Sequence, residues 1–151
     1  MILHPASMLR AGAHRYAVRI YYEDTDAGGV VYHATYLRMA ERARTEALRD
    51  LGVPHAELGE QHGLSFMVRR VNLDYVAPAR LDDLLEVATR VLKLGSASLG
   101  LRQSFHGPVP GSRPIVVADV QLVCVRTADM RPARIPDRWR AALASLAAEE
   151  D

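Results

Sequence analysis

Beyond Gly63 the chain adopts a hydrophobic period of two and keeps it through four stretches, Leu64 to Val76, Leu84 to Leu94, Ala97 to His106 and Ile115 to Thr127. Alternation over such lengths is the mark of strands with one buried face. Ahead of them stand one more alternating stretch, His14 to Tyr22, and a single long helical pattern, Thr35 to Leu51. Strand, helix, then four strands joined by short connections implies a largely antiparallel sheet, one face of which the only long helix must cover. The order therefore predicts an α+β chain with a sheet wrapped around one central helix, another α+β sandwich being the alternative.

The local patterns refine this outline. In the first strand Tyr16, Val18, Ile20 and Tyr22 share a face. The helix has a predicted core stripe of Leu37, Ala40, Ala43 or Arg44, Ala47, Leu48 and Leu51, rich enough in alanine to let its packing partner come close. Arg42 with Glu46, and Glu41 with Arg44, have the spacing of intrahelical ion pairs. Gly52-Val53-Pro54 stops the helix, and His55 to Gly63 reads as a short second helix or turn. Gly107 to Pro114 is a hairpin loop, and Pro136 opens a short helix reaching about Ala148.

With 151 residues the chain is sized for one domain, taken as 14–151 behind a flexible N-terminal extension, 1–13. No run approaches the ~18 apolar residues of a membrane helix. His4-Pro5 breaks the short apolar start, which makes it a poor secretory signal. A net charge of +1 argues against a nucleic-acid surface. The single cysteine, Cys124, lies in the apolar run Val120 to Val125, as a small buried hydrophobe would. One thiol forms no intrachain disulfide, and a reducing cytoplasm is the expected location.

Chemistry concentrates between the first strand and the long helix, in Tyr21-Tyr22-Glu23-Asp24-Thr25-Asp26-Ala27-Gly28-Gly29-Val30-Val31-Tyr32-His33. Two adjacent glycines let a ligand approach the backbone. The amides that follow open the first helical turn, where N–H groups lack intrahelical partners and carry partial positive charge. A carboxylate beside such amides suits acyl transfer, one group handling the nucleophile and the other the oxyanion. The same residues would also serve an ordinary loop with an aspartate cap. No Cys-x-x-Cys, His-Glu-x-x-His, GxGxxG or P-loop spacing is present, so no metal or nucleotide cofactor is expected.

The string YYEDTDAGGVVYHATY, with ERARTE and VNLDYVAPARLDDLLEV after it, resembles the YbgC-like acyl-CoA thioesterases, relatives of 4-hydroxybenzoyl-CoA thioesterase. The resemblance runs from about Arg15 to Pro136. It implies the hotdog fold and hydrolysis of an acyl-CoA thioester to free acid and coenzyme A, the coenzyme belonging to the substrate. By resemblance Asp26 is the catalytic carboxylate, as nucleophile or general base, and His33 marks the point where a backbone amide polarises the thioester carbonyl. Gly28, Gly29, Val30, Tyr32 and Ser98 are candidate substrate contacts, the last in the turn Gly95-Ser96-Ala97-Ser98. Glu23 and Asp24 are supporting residues, and Glu41 and Glu46 stand where other hotdog enzymes carry their acid. Coenzyme A phosphates need cations, for which Lys93, Arg80 and, in the basic tail, Arg134 are candidates. The family implies a dimer or a dimer of dimers with sites between subunits, and acyl carrier protein is a further candidate partner. The alternatives are a hotdog that binds acyl-CoA or acyl carrier protein without turnover beside Tol-Pal envelope machinery, and a hydratase using a His/Asp pair.

Overall fold

The computed structural model describes residues 9–10, 12–109 and 111–147. Strands β1 (Leu9–Arg10), β2 (Ala13–Arg19), β3 (Leu64–Tyr75), β4 (Leu84–Leu94), β5 (Ser98–His106) and β6 (Val116–Arg126) form one sheet in the order β1-β2-β4-β5-β6-β3. Every pairing is antiparallel. The helices are α1 (Thr35–Asp50), α2 (His55–His62) and α3 (Asp137–Ala144). After α2 the chain crosses to the far edge of the sheet, where β3 pairs with β6 and not with β4. This is the hotdog arrangement that the resemblance implies. Leu9 and Arg10 pair with His14 and Ala13, so the sheet reaches into the stretch read as an extension; the remainder of that stretch before Gly12 lies outside the described residues.

The packing of α1 decides most of the interior. Its buried residues are Tyr36, Met39, Ala40, Ala43, Ala47 and Leu48. The expected stripe is rotated at its start, because Leu37 is exposed and Tyr36 takes its place. Tyr36 is held by edge-on contacts with Phe105, 5.3 Å between ring centroids, and with Tyr75, 5.7 Å away. The aromatic ring buries more surface than Leu37 would, and a period count cannot weigh that. Ala40, Ala43 and Ala47 lie almost against the sheet, whose inner face presents Leu85, Val87, Leu101, Phe105, Ala118, Val120 and Cys124. Cys124 is fully buried, as expected, and burial pushes its thiol pKa up.

Two other expectations fail locally. The first strand ends at Arg19, and the chain turns at once into a 3-10 turn, Tyr22–Asp24, leaving Tyr22 82% exposed. Ile20 still points into the core, its amide bonded to the Asp83 carbonyl at 2.9 Å. On α1, neither expected ion pair forms among the described residues; Glu46 meets Arg49 instead, and Arg44 turns inward to Gln103.

Polar groups pin the helix at defined points. Buried Gln103 donates from Nε2 to the Ala40 carbonyl (2.9 Å) and to Thr89 Oγ1 (3.1 Å). Fully buried His14 meets Asp50, the last residue of α1, at 2.7 Å. The Trp139 indole donates to the Val53 carbonyl and so fastens α3 below the end of α1. Such buried hydrogen bonds fix register as well as adding stability, although His14 Nδ1 is buried without a partner among the described residues.

The alanine seam gives a direct test. Ala43→Leu inserts bulk where no volume is free and should cost about 1–3 kcal/mol in urea unfolding. Leu37→Ala, on the exposed face, should stay within about 0.5 kcal/mol of wild type in the same measurement.

Candidate active site

The loop from Tyr21 to His33 is held to the body at both ends and at its middle. Thr25 bridges Val31, and Val30 bridges Arg80. The Val31 amide donates to the Ala79 carbonyl and the Tyr32 amide to the Asp24 carbonyl, each at 2.9 Å. Asp24 has a structural role, as its Oδ2 accepts from the Tyr21 amide at 2.8 Å. Loop residues can thus be exposed and still well placed.

Asp26 sits at the tip, exposed. Its amide donates to the Val30 carbonyl, its carbonyl accepts from the Gly29 amide, and Oδ1 accepts from the Gly28 amide at 2.8 Å. The carboxylate therefore organises its own turn and does not cap α1, which removes the helix-cap reading. Oδ2 has no partner among the described residues. The two glycines are there for separate reasons. A side chain at Gly28 would put its first carbon 3.1 Å from Asp26 Oδ1, and Gly29 has φ +81°, a conformation L-residues reach at a cost.

The helix start faces the same space. Ala34 precedes α1 without any side-chain cap, and the first turn carries no acidic residue. The Thr35 amide is tied back to the Tyr32 carbonyl and the Leu37 amide to the Ala34 carbonyl. Among the described residues the His33 and Ala34 amides have no acceptor. An uncapped helix start normally finds a partner in water or a ligand, and it favours negative charge. Asp26, Tyr32, Ala34 and Thr35 share a cleft of about 260 Å³ with Glu23, Thr25 and Arg38.

Two residues of this region carried no functional reading in the sequence. Arg38 enters the cleft from the first turn of α1, one turn beyond Thr35. Tyr75, at the end of β3, donates its hydroxyl to the His33 carbonyl at 2.8 Å and so holds the peptide that carries the Ala34 N–H. Partial desolvation moves the Tyr75 pKa up from an ordinary value already well above neutral, so the hydroxyl donates at neutral pH. Tyr75 lay within a quoted motif, yet only the crossover of β3 brings it beneath the helix start.

The remaining candidates are dispersed. Tyr32 is exposed, its ring tilted against His33 at 4.4 Å. Arg80 flanks the loop through its bridge to Val30, and its amide donates to Asp83 Oδ2. Lys93 and Ser98 lie across the sheet on its other face, in a groove of about 390 Å³ shared with Arg69. Lys93 stands opposite Gly100, and Ser98 opposite Val123. Arg134 is an exposed partner of Asp137 at 3.3 Å, beyond β6. One protomer thus unites Asp26, His33 and Tyr32 but separates them from Lys93, Ser98 and Arg134. Glu41 and Glu46 lie further along α1, away from the Asp26 turn. Among the described residues no group of three or more His, Cys, Asp or Glu side chains could hold a metal, and no helix is long and apolar enough to cross a membrane.

Stability separates the glycine roles from chemistry. Gly29→Ala should destabilise by about 1–2 kcal/mol, the cost of a left-handed backbone for a residue with a Cβ, and urea titration reads it directly.

The geometry agrees with the comparisons. Residues 20–143 match the family model described as the thioesterase-like superfamily. "Acyl-CoA thioesterase YbgC" of Haemophilus influenzae is 42% identical over 131 residues, 87% of this chain and 94% of its own length. "Acyl-CoA thioester hydrolase YbgC" of Escherichia coli O6:H1 is 43% identical over 123 residues, covering 81% and 89%. Among solved structures, a probable thioesterase from Bartonella henselae superposes with a TM-score of 0.75 at 35% identity, over 82% of this chain and 99% of that one. The uncapped helix start and the Asp26 turn thus stand in a chain that belongs to the thioesterase-like superfamily, as a thioester hydrolase of its YbgC-like branch.

Proposed function

We propose that the protein hydrolyses an acyl-CoA thioester to a carboxylic acid and coenzyme A, with Asp26 as the reacting carboxylate. The observation that carries this is the pairing of an exposed carboxylate, fixed by the Gly28 amide, with an uncapped helix start in one cleft. The thioester carbonyl oxygen points at the His33 and Ala34 amides, which stabilise the negative charge that develops on it. In one route an Asp26 oxygen attacks the carbonyl carbon, the thiolate leaves with the C–S electron pair, and water then cleaves the resulting mixed anhydride. In the other, Asp26 takes a proton from water as that water attacks, and collapse of the tetrahedral intermediate expels the thiolate. In either, water supplies one oxygen to the acid and a proton ends on the thiol. Tyr75 positions the Ala34 amide through the His33 carbonyl.

The second half of the reading is assembly. Strand β3 pairs with β6 on one side, and its other edge carries no partner among the described residues, over a length of 12 residues. Met67, Val68, Tyr75 and the adjoining Val76 are exposed along it. A long, unprotected edge with apolar side chains invites strand pairing. Two β3 edges meeting about a two-fold axis give a homodimer with one continuous sheet. Such a dimer, alone or doubled, would let cations of one subunit, Lys93 and Arg69 foremost, serve the coenzyme A phosphates of a site on the other. Acyl carrier protein is a second possible source of the thioester, and a reducing cytoplasm suits the lone buried thiol.

Asp26→Asn keeps an Oδ1 acceptor for Gly28 and should leave stability nearly unchanged while lowering kcat by on the order of 10²–10⁴, as for loss of one acid–base group. Free-thiol release from a panel of acyl-CoAs checks this. Activity within about threefold of wild type would remove Asp26 from the mechanism, and no release from any substrate would favour a binding hotdog. Light scattering at micromolar concentration should show a dimer or tetramer, and a monomer would count against the β3 interface.

A further inference from the structure

Behind Glu41 the same helix lines a second recess. About 340 Å³ lies between α1 and the sheet, walled by Leu48, Phe66, Leu99, Leu101 and Leu122, with Glu41, Arg44, Thr45, His55, Ser65 and Thr89 as its polar members. For scale, a benzene-binding cavity measures roughly 150 Å³.

Arg44 is the anomaly in that wall. It is half-buried, and desolvation lowers its pKa. Among the described residues no carboxylate lies within 4.0 Å of it, although Glu41 is one turn away. Its one hydrogen bond runs from Nη1 to Gln103 Oε1 at 3.0 Å. Gln103 is locked, since its Nε2 is spent on Ala40 and Thr89. The guanidinium is therefore held in place by a neutral acceptor, with most of its five N–H donors left over. A guanidinium partly withdrawn from water, with donors free, gains from meeting an anion.

The recess is also aligned with the cleft. Arg38 lines the cleft, while Glu41, Thr45 and Leu48 line the recess. Spacings of three, four and three residues put these four on one face of α1. Arg44 is nine residues beyond Thr35, about 14 Å along the helix axis. We propose that this recess receives the acyl group of the substrate and that Arg44 binds an anionic oxygen at its far end, so that the enzyme favours acyl groups ending in a carboxylate. The proposal rests on the thioesterase reading, since it has the acyl chain run along this face of α1 from the cleft that holds Asp26. The apolar walls accept the chain, burial and Arg44 lower the His55 pKa against the opposing pull of Glu41, Glu41 itself is exposed one turn nearer the helix start, and the guanidinium supplies a fork that a carboxylate matches with two bonds.

The test uses straight-chain acyl-CoAs of graded length, each with and without a terminal carboxylate. At the length that spans the recess, the carboxylate should raise kcat/KM by about tenfold or more, the effect of one charge-assisted hydrogen bond. Arg44→Met should abolish that preference, so that at each length the two series differ in kcat/KM by less than about threefold. If Arg44→Met does not fold, Arg44→Lys should cut the preference at least about threefold, because a point charge replaces the fork. No preference at any length, or a preference that survives both substitutions, overturns the proposal. So does a loss of oligomer in Arg44→Met with acyl preference intact, which would assign the guanidinium to a subunit contact. Calorimetric binding of the same thioesters to Asp26→Asn, with and without the Arg44 change, reads the preference apart from turnover. Failure of the thioesterase reading would show as no hydrolysis, and failure of this one as equal binding of the two series.

Discussion

Everything in this molecule depends on how closely α1 lies against the sheet. Ala40, Ala43 and Ala47 keep side-chain bulk out of that contact, and Gln103 reaches across it to the helix backbone. Dispersion forces fall away steeply with separation, so a helix seated this near gains contact along its whole length. Its seating also sets its start. Tyr36, wedged against Phe105 and Tyr75, fixes the first turn, and the loop that precedes it has no freedom left about where to arrive. A candidate site made of loop and helix-start amides is in this sense a product of the core.

That dependence explains which parts were legible in the residues. Element order and type were, because alternation and helical spacing report on one element at a time: all four strands after Gly63 and all three helices appear within a few residues of their expected bounds. The cleft was legible in part. Asp26, Tyr32 and the helix start are sequence neighbours, and the turn that joins them is local. Tyr75 was hidden because β3 crosses to the far edge of the sheet before its end returns beneath His33, a long-range placement that no spacing encodes. Arg44 was misread for a related reason. Intrahelical spacing offered it Glu41, whereas Gln103 on β5 holds it from inside the core. The wrong face for Leu37 and the early end of β2 at Arg19 follow the same rule, tertiary packing overriding a local pattern.

The electrostatics of the two recesses divide the labour along one helix. At its N-terminal end charge is managed by backbone dipoles and a loop carboxylate. Further along, the half-buried Arg44 guanidinium stands one turn from Glu41 beside an apolar wall. Low dielectric magnifies whatever a buried charge meets there, favourable or not. On the proposed reading, a helix with an uncapped end and an inward cation in its middle spends stability on recognition.

Cys124 has a practical side. Its sulfur lies under β6 with no exposed surface, and its proton is held more firmly than that of a free thiol. Reagents that report thiols attack the thiolate form of accessible sulfur. In the folded protein the chain's own sulfur is therefore silent to such reagents, and colour that develops in their presence measures liberated coenzyme A alone. A slow rise without substrate would mean unfolding, so the one cysteine doubles as an internal gauge of whether the protein in the cuvette is still intact.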